Sequence, residues 1–294
     1  MKAFEGVAFG KWILAGEHAV LRGSPALVFP VKSCFLKLQY QPTSSSSTEL
    51  QLSGPYGEEI RLLFWGVFEQ ALKMCGKNLK DRGGEFHIES GIPVGAGLGA
   101  SAALCVALGK WCLAQGWISE IDLYDFSRSL EDLFHGESSG VDIAVALSGE
   151  GLKFKRGGLR EPLATTWSPR WFLSYSGRRG MTSECVTKVK SLFGEDREKA
   201  QALDDQMRLA VEMAEAALME NGSSGFDKLS QSIDLALKCF EKWGLTEGEM
   251  GQHLSFLRSQ GAVAVKPTGS GGGGYALSLW KAPPPENLKG LIQI

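Results

Sequence analysis

Apolar and polar positions recur along the chain with periods that predict most of its elements. Residues 4–14 and 26–40 are rich in Val, Phe, Leu and Ile and read as strands. Residues 61–75 place Leu63, Val67, Leu72 and Cys75 at helical spacing. Residues 85–90 alternate, with Phe86 and Ile88 on one face, as a half-buried strand does. Residues 100–115 are almost wholly apolar, which predicts a helix packed deep in a core. Ser119 and Asp122 give a capping signal for a helix ending near Phe134. Residues 140–152 read as extended, apolar chain.

The pattern changes after about residue 157. Residues 164–176 read as a strand, and residues 197–220 and 226–243 as long amphipathic helices. Thr246 with Glu249 caps a third helix that stops at Gly261. Short strands follow at 262–266 and 275–280, separated by a glycine-rich loop, and a proline-rich break at 281–285 precedes a short apolar end. Two α+β domains are expected, at 1–160 and 161–294.

Composition narrows the function. The net charge of -2, with basic residues scattered, leaves no electrostatic footprint for nucleic acid. No uninterrupted apolar stretch is long enough to span a membrane, and residues 1–10 lack the apolar core of a secretion signal. The six cysteines form no CxxC pair, and Cys105 and Cys112 sit in an apolar helical run where buried thiols are expected. A reduced, cytoplasmic protein is the expectation. Glycine is the anomaly: 37 residues, where average usage would give roughly 20.

Four segments carry candidate chemistry. In Pro93-Val94-Gly95-Ala96-Gly97-Leu98-Gly99-Ala100-Ser101 a strand leads through glycines into a helix N-terminus. Such a turn brings backbone N–H groups close to phosphates and adds the positive end of a helix dipole. It matches neither GxxxxGK[ST] nor GxGxxG, and taken alone it is equally a tight turn. Gly10 to Val20 contains Lys11, Glu17 and His18, each of which singly suits a surface. Glu131 to Asp142 sets two carboxylates so that one could hold Mg²⁺ and one act as base. Each could also be a plain helix or turn residue. Val265 to Tyr275 crowds five glycines between two strands, as a close backbone approach or a flexible hairpin would.

Taken in chain order, the four segments resemble the motifs of the GHMP kinases, and most nearly those of the mevalonate kinases. The shared runs are GK-x-I-L-x-GEHAV, P-x-GAGLG-x-SAA, E-x3-HG-x2-SG-x-D and K-x-TG-x-GGGG. The resemblance implies a ribosomal-protein-S5-like N-terminal domain with a ferredoxin-like C-terminal domain. It implies Asp142 as catalytic carboxylate with Lys11 beside it, and Ser101 and Glu131 as Mg²⁺ ligands. ATP would lie on Pro93, Gly95, Ala96, Gly97, Leu98, Gly99, Ala100 and Ser101. Glu17, His18, Thr182, Gly271 and Gly272 would line the site of a small-molecule acceptor, and the assembly would be a monomer or homodimer. The implied reaction is direct phosphorylation of mevalonate by ATP. Phosphomevalonate kinases, mevalonate-diphosphate decarboxylases and a non-enzymatic homologue are the alternatives. Three departures are visible. Ala100 stands where a serine is usual, Glu137-Ser138 replaces Asn-Pro, and residues 176–182 lack the PR-x-T pattern. The last bears on substrate identity more than on reaction class.

Overall fold

The computed structural model describes residues 1–44, 47–78, 83–135, 138–158, 160–220 and 222–294. Gly136 and Glu137 of the segment from Glu131 to Asp142 lie outside them. The described residues form two compact units that interleave along the chain. The first comprises Met1–Lys11, Pro30–Val94 and Gly99–Gly149; the second comprises Trp12–Phe29, Gly95–Leu98 and Glu150–Ile294. Strand β1 (Phe4–Ala15) and strand β2 (Ala26–Pro42) therefore each contribute to both. The 1–160 and 161–294 division expected from composition follows chain order; the compact units do not.

In the first unit β2 pairs antiparallel with β4 (Gly84–Ser90), and β3 (Thr48–Ser53) pairs parallel with β4. The alternation in β4 buries Phe86 and Ile88. Helix α1 (Gly57–Met74) supplies Phe64 and Phe68 to an aromatic core with Phe86, Tyr40 and Trp111. Trp111 belongs to α2 (Ala100–Ala114), whose apolar residues are buried on nearly every face. Helix α2 packs against α3 (Leu123–His135) and α4 (Val141–Ser148). Helix α3 begins past the expected cap, because Ser119 spends its hydroxyl on the Asp122 carboxylate.

Helix α4 corrects the extended reading of residues 140–152. A short apolar run carries no period of its own. Gly140 (φ 80) and Gly149 (φ 67) bracket one helical stretch, with Val141 and Ile143–Ala146 buried. Asp142 consequently stands in the first turn of a helix.

In the second unit the start of β2 pairs with β5 (Leu152–Phe154), which pairs with β6 (Arg160–Pro162). Among the described residues a further antiparallel sheet runs β10-β7-β9-β8, with β7 at Trp171–Tyr175, β8 at Ala264–Pro267, β9 at Tyr275–Leu279 and β10 at Leu291–Gln293. The strand expected over 164–176 shortens to β7, because Pro169 offers no ladder donor. Helices α5 (Thr182–Glu195), α6 (Arg197–Leu218), α7 (Gly222–Lys242) and α8 (Glu249–Ser259) complete this unit. The cap of α8 is Gly248 (φ 63), not Thr246. Leu237, Met250, Leu254, Leu257, Val265, Ala276 and Trp280 make a core between α7, α8 and the sheet. All six cysteines are free thiols. Among the described residues no helix is long and apolar enough to cross a membrane.

Candidate active site

Lys11 and Asp142 meet in the first unit. The Lys11 Nζ lies 3.1 Å from Asp142 Oδ2, with the lysine buried and the carboxylate a quarter exposed. Two local features bring them together. The burial of β1 from Gly10 onward draws the Lys11 stem inward. Gly140 turns the chain so that Asp142 starts α4, with Tyr124 packed against that turn and donating its hydroxyl to the Gly140 carbonyl at 3.3 Å.

Gly99 caps α2 beside this pair at φ 77. A Cβ there would lie 2.9 Å from the Lys11 Cγ and 3.8 Å from Asp142 Oδ2. Glycine is needed twice over, for its left-handed backbone and for the space. The lysine–aspartate pair therefore sits at the N-terminus of a helix, where unpaired N–H groups and the dipole favour negative charge. Ala100 and Ser101 form that first turn. Ahead of the glycines, the Val94 N–H donates to Glu59 Oε2 of α1 at 3.0 Å, which fixes where Pro93-Val94 enter the loop.

Glu131 is buried on α3 and accepts a hydrogen bond from the Ser138 hydroxyl, which also accepts the Gly140 N–H at 3.0 Å. Burial, and then the Asp142 charge, push the Glu131 carboxyl up to about 8; the Ser138 bond and Lys11 oppose this. A buried carboxyl raised by a neighbouring carboxylate is the electrostatic deficit a divalent cation offsets. Among the described residues no cluster of three or more His, Cys, Asp or Glu stands ready for a metal. Mg²⁺ does not require one, since it takes one or two carboxylates and completes its shell with phosphates and water. The oxygen donors Glu131 and Ser101 fit that ion.

The second unit gathers the remaining motif residues. The Glu17 carboxylate pairs with Lys266, both fully buried. Thr268 Oγ1 accepts the Ile13 N–H at 2.8 Å and donates to the Ile13 carbonyl at 3.1 Å. His18, at φ 59, places its Nε2 2.9 Å from the Ser270 carbonyl, and its ring lies against Trp243 and Phe240. Burial lowers the imidazole to about 4, so it is neutral at physiological pH.

The loop 269–274 carries its five glycines at positive φ. A Cβ on Gly274 would stand 2.5 Å from the Ala96 carbonyl, so the end of this loop lies directly on Ala96-Gly97. Gly272 spends its N–H on the Leu245 carbonyl, Gly271 packs on Phe240 and Leu245, and Thr182 opens α5, where it accepts from Ser270 Oγ at 3.4 Å. Glu17 and His18 are thus engaged in packing and hydrogen bonding within the unit. Sequence reasoning assigned no part to Lys266, Ser138 or Tyr124. The signal for Lys266 was its place at the head of the K-x-TG-x-GGGG run, but its pairing with Glu17 joins distant segments and is seen only in the fold.

The site thus joins a lysine–aspartate pair, its lysine buried, to the glycine-capped N-terminus of a helix, on a fold of mixed helix and sheet. Residues 63–150 match the model of the GHMP kinases N terminal domain. The chain is 29% identical to the mevalonate kinase of Pyrococcus horikoshii, over 91% of this chain and 86% of that protein. It superposes on L. major mevalonate kinase in complex with R-mevalonate with a TM-score of 0.78, at 22% identity, covering 95% of this chain and 87% of that one. Streptococcus pneumoniae phosphomevalonate kinase, in complex with phosphomevalonate and AMPPNP, gives 0.72 at 17% identity, covering 96% and 93%. By these comparisons the chain resembles the GHMP kinases, with the family model matching residues 63–150.

Proposed function

We propose that the chain transfers the terminal phosphoryl group of ATP to the 5-hydroxyl of mevalonate. The observation that carries this reading is the 3.1 Å Lys11–Asp142 pair at the glycine-capped start of α2. Phosphoryl transfer needs positioning and charge neutralisation more than covalent chemistry. Asp142 accepts or orients the acceptor's hydroxyl proton. Lys11 holds the Asp142 carboxylate in place and screens charge developing on the transferred group. The α2 N-terminus and the loop Pro93–Ser101 supply backbone donors to the phosphates. Ser101 and Glu131 would hold Mg²⁺, which when bound neutralises phosphate charge. Mevalonate is supported as acceptor by the archaeal relative, which is named for it.

Asp142→Asn tests the pair. Turnover should fall by about 10²–10⁴-fold, as expected for loss of a general base, with ATP affinity by calorimetry close to wild type. Activity within about threefold of wild type would remove Asp142 from the chemistry.

A further inference from the structure

The transfer chemistry leaves the Glu17–Lys266 pair unused, although it is the most deeply buried ion pair among the described residues. The Lys266 ammonium donates to the Glu17 carboxylate, to the Ile13 carbonyl at 3.1 Å and to the Pro267 carbonyl at 2.7 Å. Three N–H groups meet three oxygens, and the Phe240 ring centroid lies 5.4 Å away. Withdrawing two charges from water often costs as much as their attraction returns, and an apolar pair of similar volume often packs as well. Stability alone therefore does not demand this pair. An apolar pair cannot, however, grip a backbone carbonyl.

The grip has a register. Lys266, Thr268 and Ser270 are alternate residues, and each holds the first motif. Lys266 takes Ile13 and Glu17, Thr268 takes both backbone groups of Ile13, and Ser270 takes His18. Ile13 is gripped from two residues, and it lies two positions after Lys11 on β1. A strand that slipped or twisted at Ile13 would carry Lys11 with it.

We propose that Lys266 is a positioning residue for the phosphoryl transfer: its buried ammonium locks the first motif onto the β8 end of the glycine loop and so fixes the strand from which Lys11 projects. The proposal rests on the kinase reading above. Geometry errors of about 1 Å can cost roughly 100-fold in rate, so the effect should appear in kcat.

The test compares wild type, Lys266→Met and Glu17→Gln/Lys266→Met by thermal midpoint, ATP calorimetry and steady-state kinetics with ATP and mevalonate. A wild type that turns over no acceptor overturns the kinase reading and this proposal with it. Given an active wild type, the double variant, which buries no lone charge, should keep its midpoint within about 5 °C. Its kcat should fall roughly 30- to 100-fold, with ATP affinity changed less than about threefold. A double variant with wild-type kcat, or one whose kcat loss only tracks a lost midpoint, overturns the proposal. Should the Lys266 variants fail to fold, Thr268→Val removes the other grip on Ile13 and is read in the same way. A wild-type kcat in folded Thr268→Val would equally overturn it.

Discussion

Glu131 shows how one side chain's surroundings set a condition on the reaction. Its carboxyl is pushed up to about 8 by burial and by Asp142. Below that pH the folded protein without cation holds a proton there, which the Mg²⁺ proposed to bind at Glu131 must displace. The Mg²⁺ concentration giving half-maximal activity should therefore fall as pH rises from 6.5 towards 8 and level off above it. Glu131→Gln should raise that concentration and flatten its pH dependence. A Mg²⁺ requirement that is independent of pH in wild type would contradict the placement. The linkage sign for the cation-free protein follows from the same shift. The folded state binds this proton more tightly than the unfolded chain, so its stabilising contribution is full below the ordinary glutamate range. It is lost as pH rises through about 8. Ser138 adds to this arrangement, since its hydroxyl bonds the Glu131 carboxylate and accepts the Gly140 N–H. Ser138→Ala should shift the Mg²⁺ titration in the same direction as Glu131→Gln, by less.

At the scale of elements, glycine placement decides which segments can approach. Gly274→Ala would put a methyl 2.5 Å from the Ala96 carbonyl at a φ of 80. The affected segment is the loop proposed to bind the phosphates, so the KM for ATP should rise at least about tenfold, with the thermal midpoint lowered by only a few degrees. A normal KM with a collapsed midpoint would make the glycine run a folding device. Most elements were legible because their periods are long and uninterrupted: β1, β2, β4, α1, α2, α6 and α7 stand close to where apolar spacing put them. The failures share a physical origin. Helix α4 is an eight-residue stretch whose apolar run suits a strand or a helix equally, and bracketing glycines decided it. Helix α5 was missed because it buries only Cys185 and Val189, too thin an apolar stripe to register. The Lys11–Asp142 pair was anticipated from the motif resemblance, since no local pattern joins residues so far apart. Lys266 escaped because the tie that gives it meaning is to Glu17 and Ile13, at the other end of the chain.

For the whole molecule, the open chemical question was which acceptor the protein takes. Arg178 and Arg179 interrupt the segment where the family pattern is weakest. Arg178 lies on the surface within 3.5 Å of Glu249, whereas the Arg179 stem lies 3.7 Å from the Cβ position of Gly95, in the loop proposed to bind the phosphates. Exposed pairs of the first kind contribute little. Mevalonate carries a single carboxylate, so one well-placed arginine suffices. Arg179→Ala should lower kcat/KM for mevalonate by about tenfold or more, and Arg178→Ala by less than about threefold. Equal, large losses in both would favour an acceptor with a second anionic group.

The most direct measurement follows ADP release and phosphorus resonances in parallel reactions with ATP, Mg²⁺ and either mevalonate, phosphomevalonate or mevalonate diphosphate. The account predicts one phosphomonoester formed per ADP with mevalonate, no CO₂ in any reaction, and kcat/KM for mevalonate at least about tenfold above that for phosphomevalonate, a difference of about 1.4 kcal/mol in transition-state binding. ADP release independent of any acceptor, CO₂ from the diphosphate, or a tenfold preference for phosphomevalonate would contradict it.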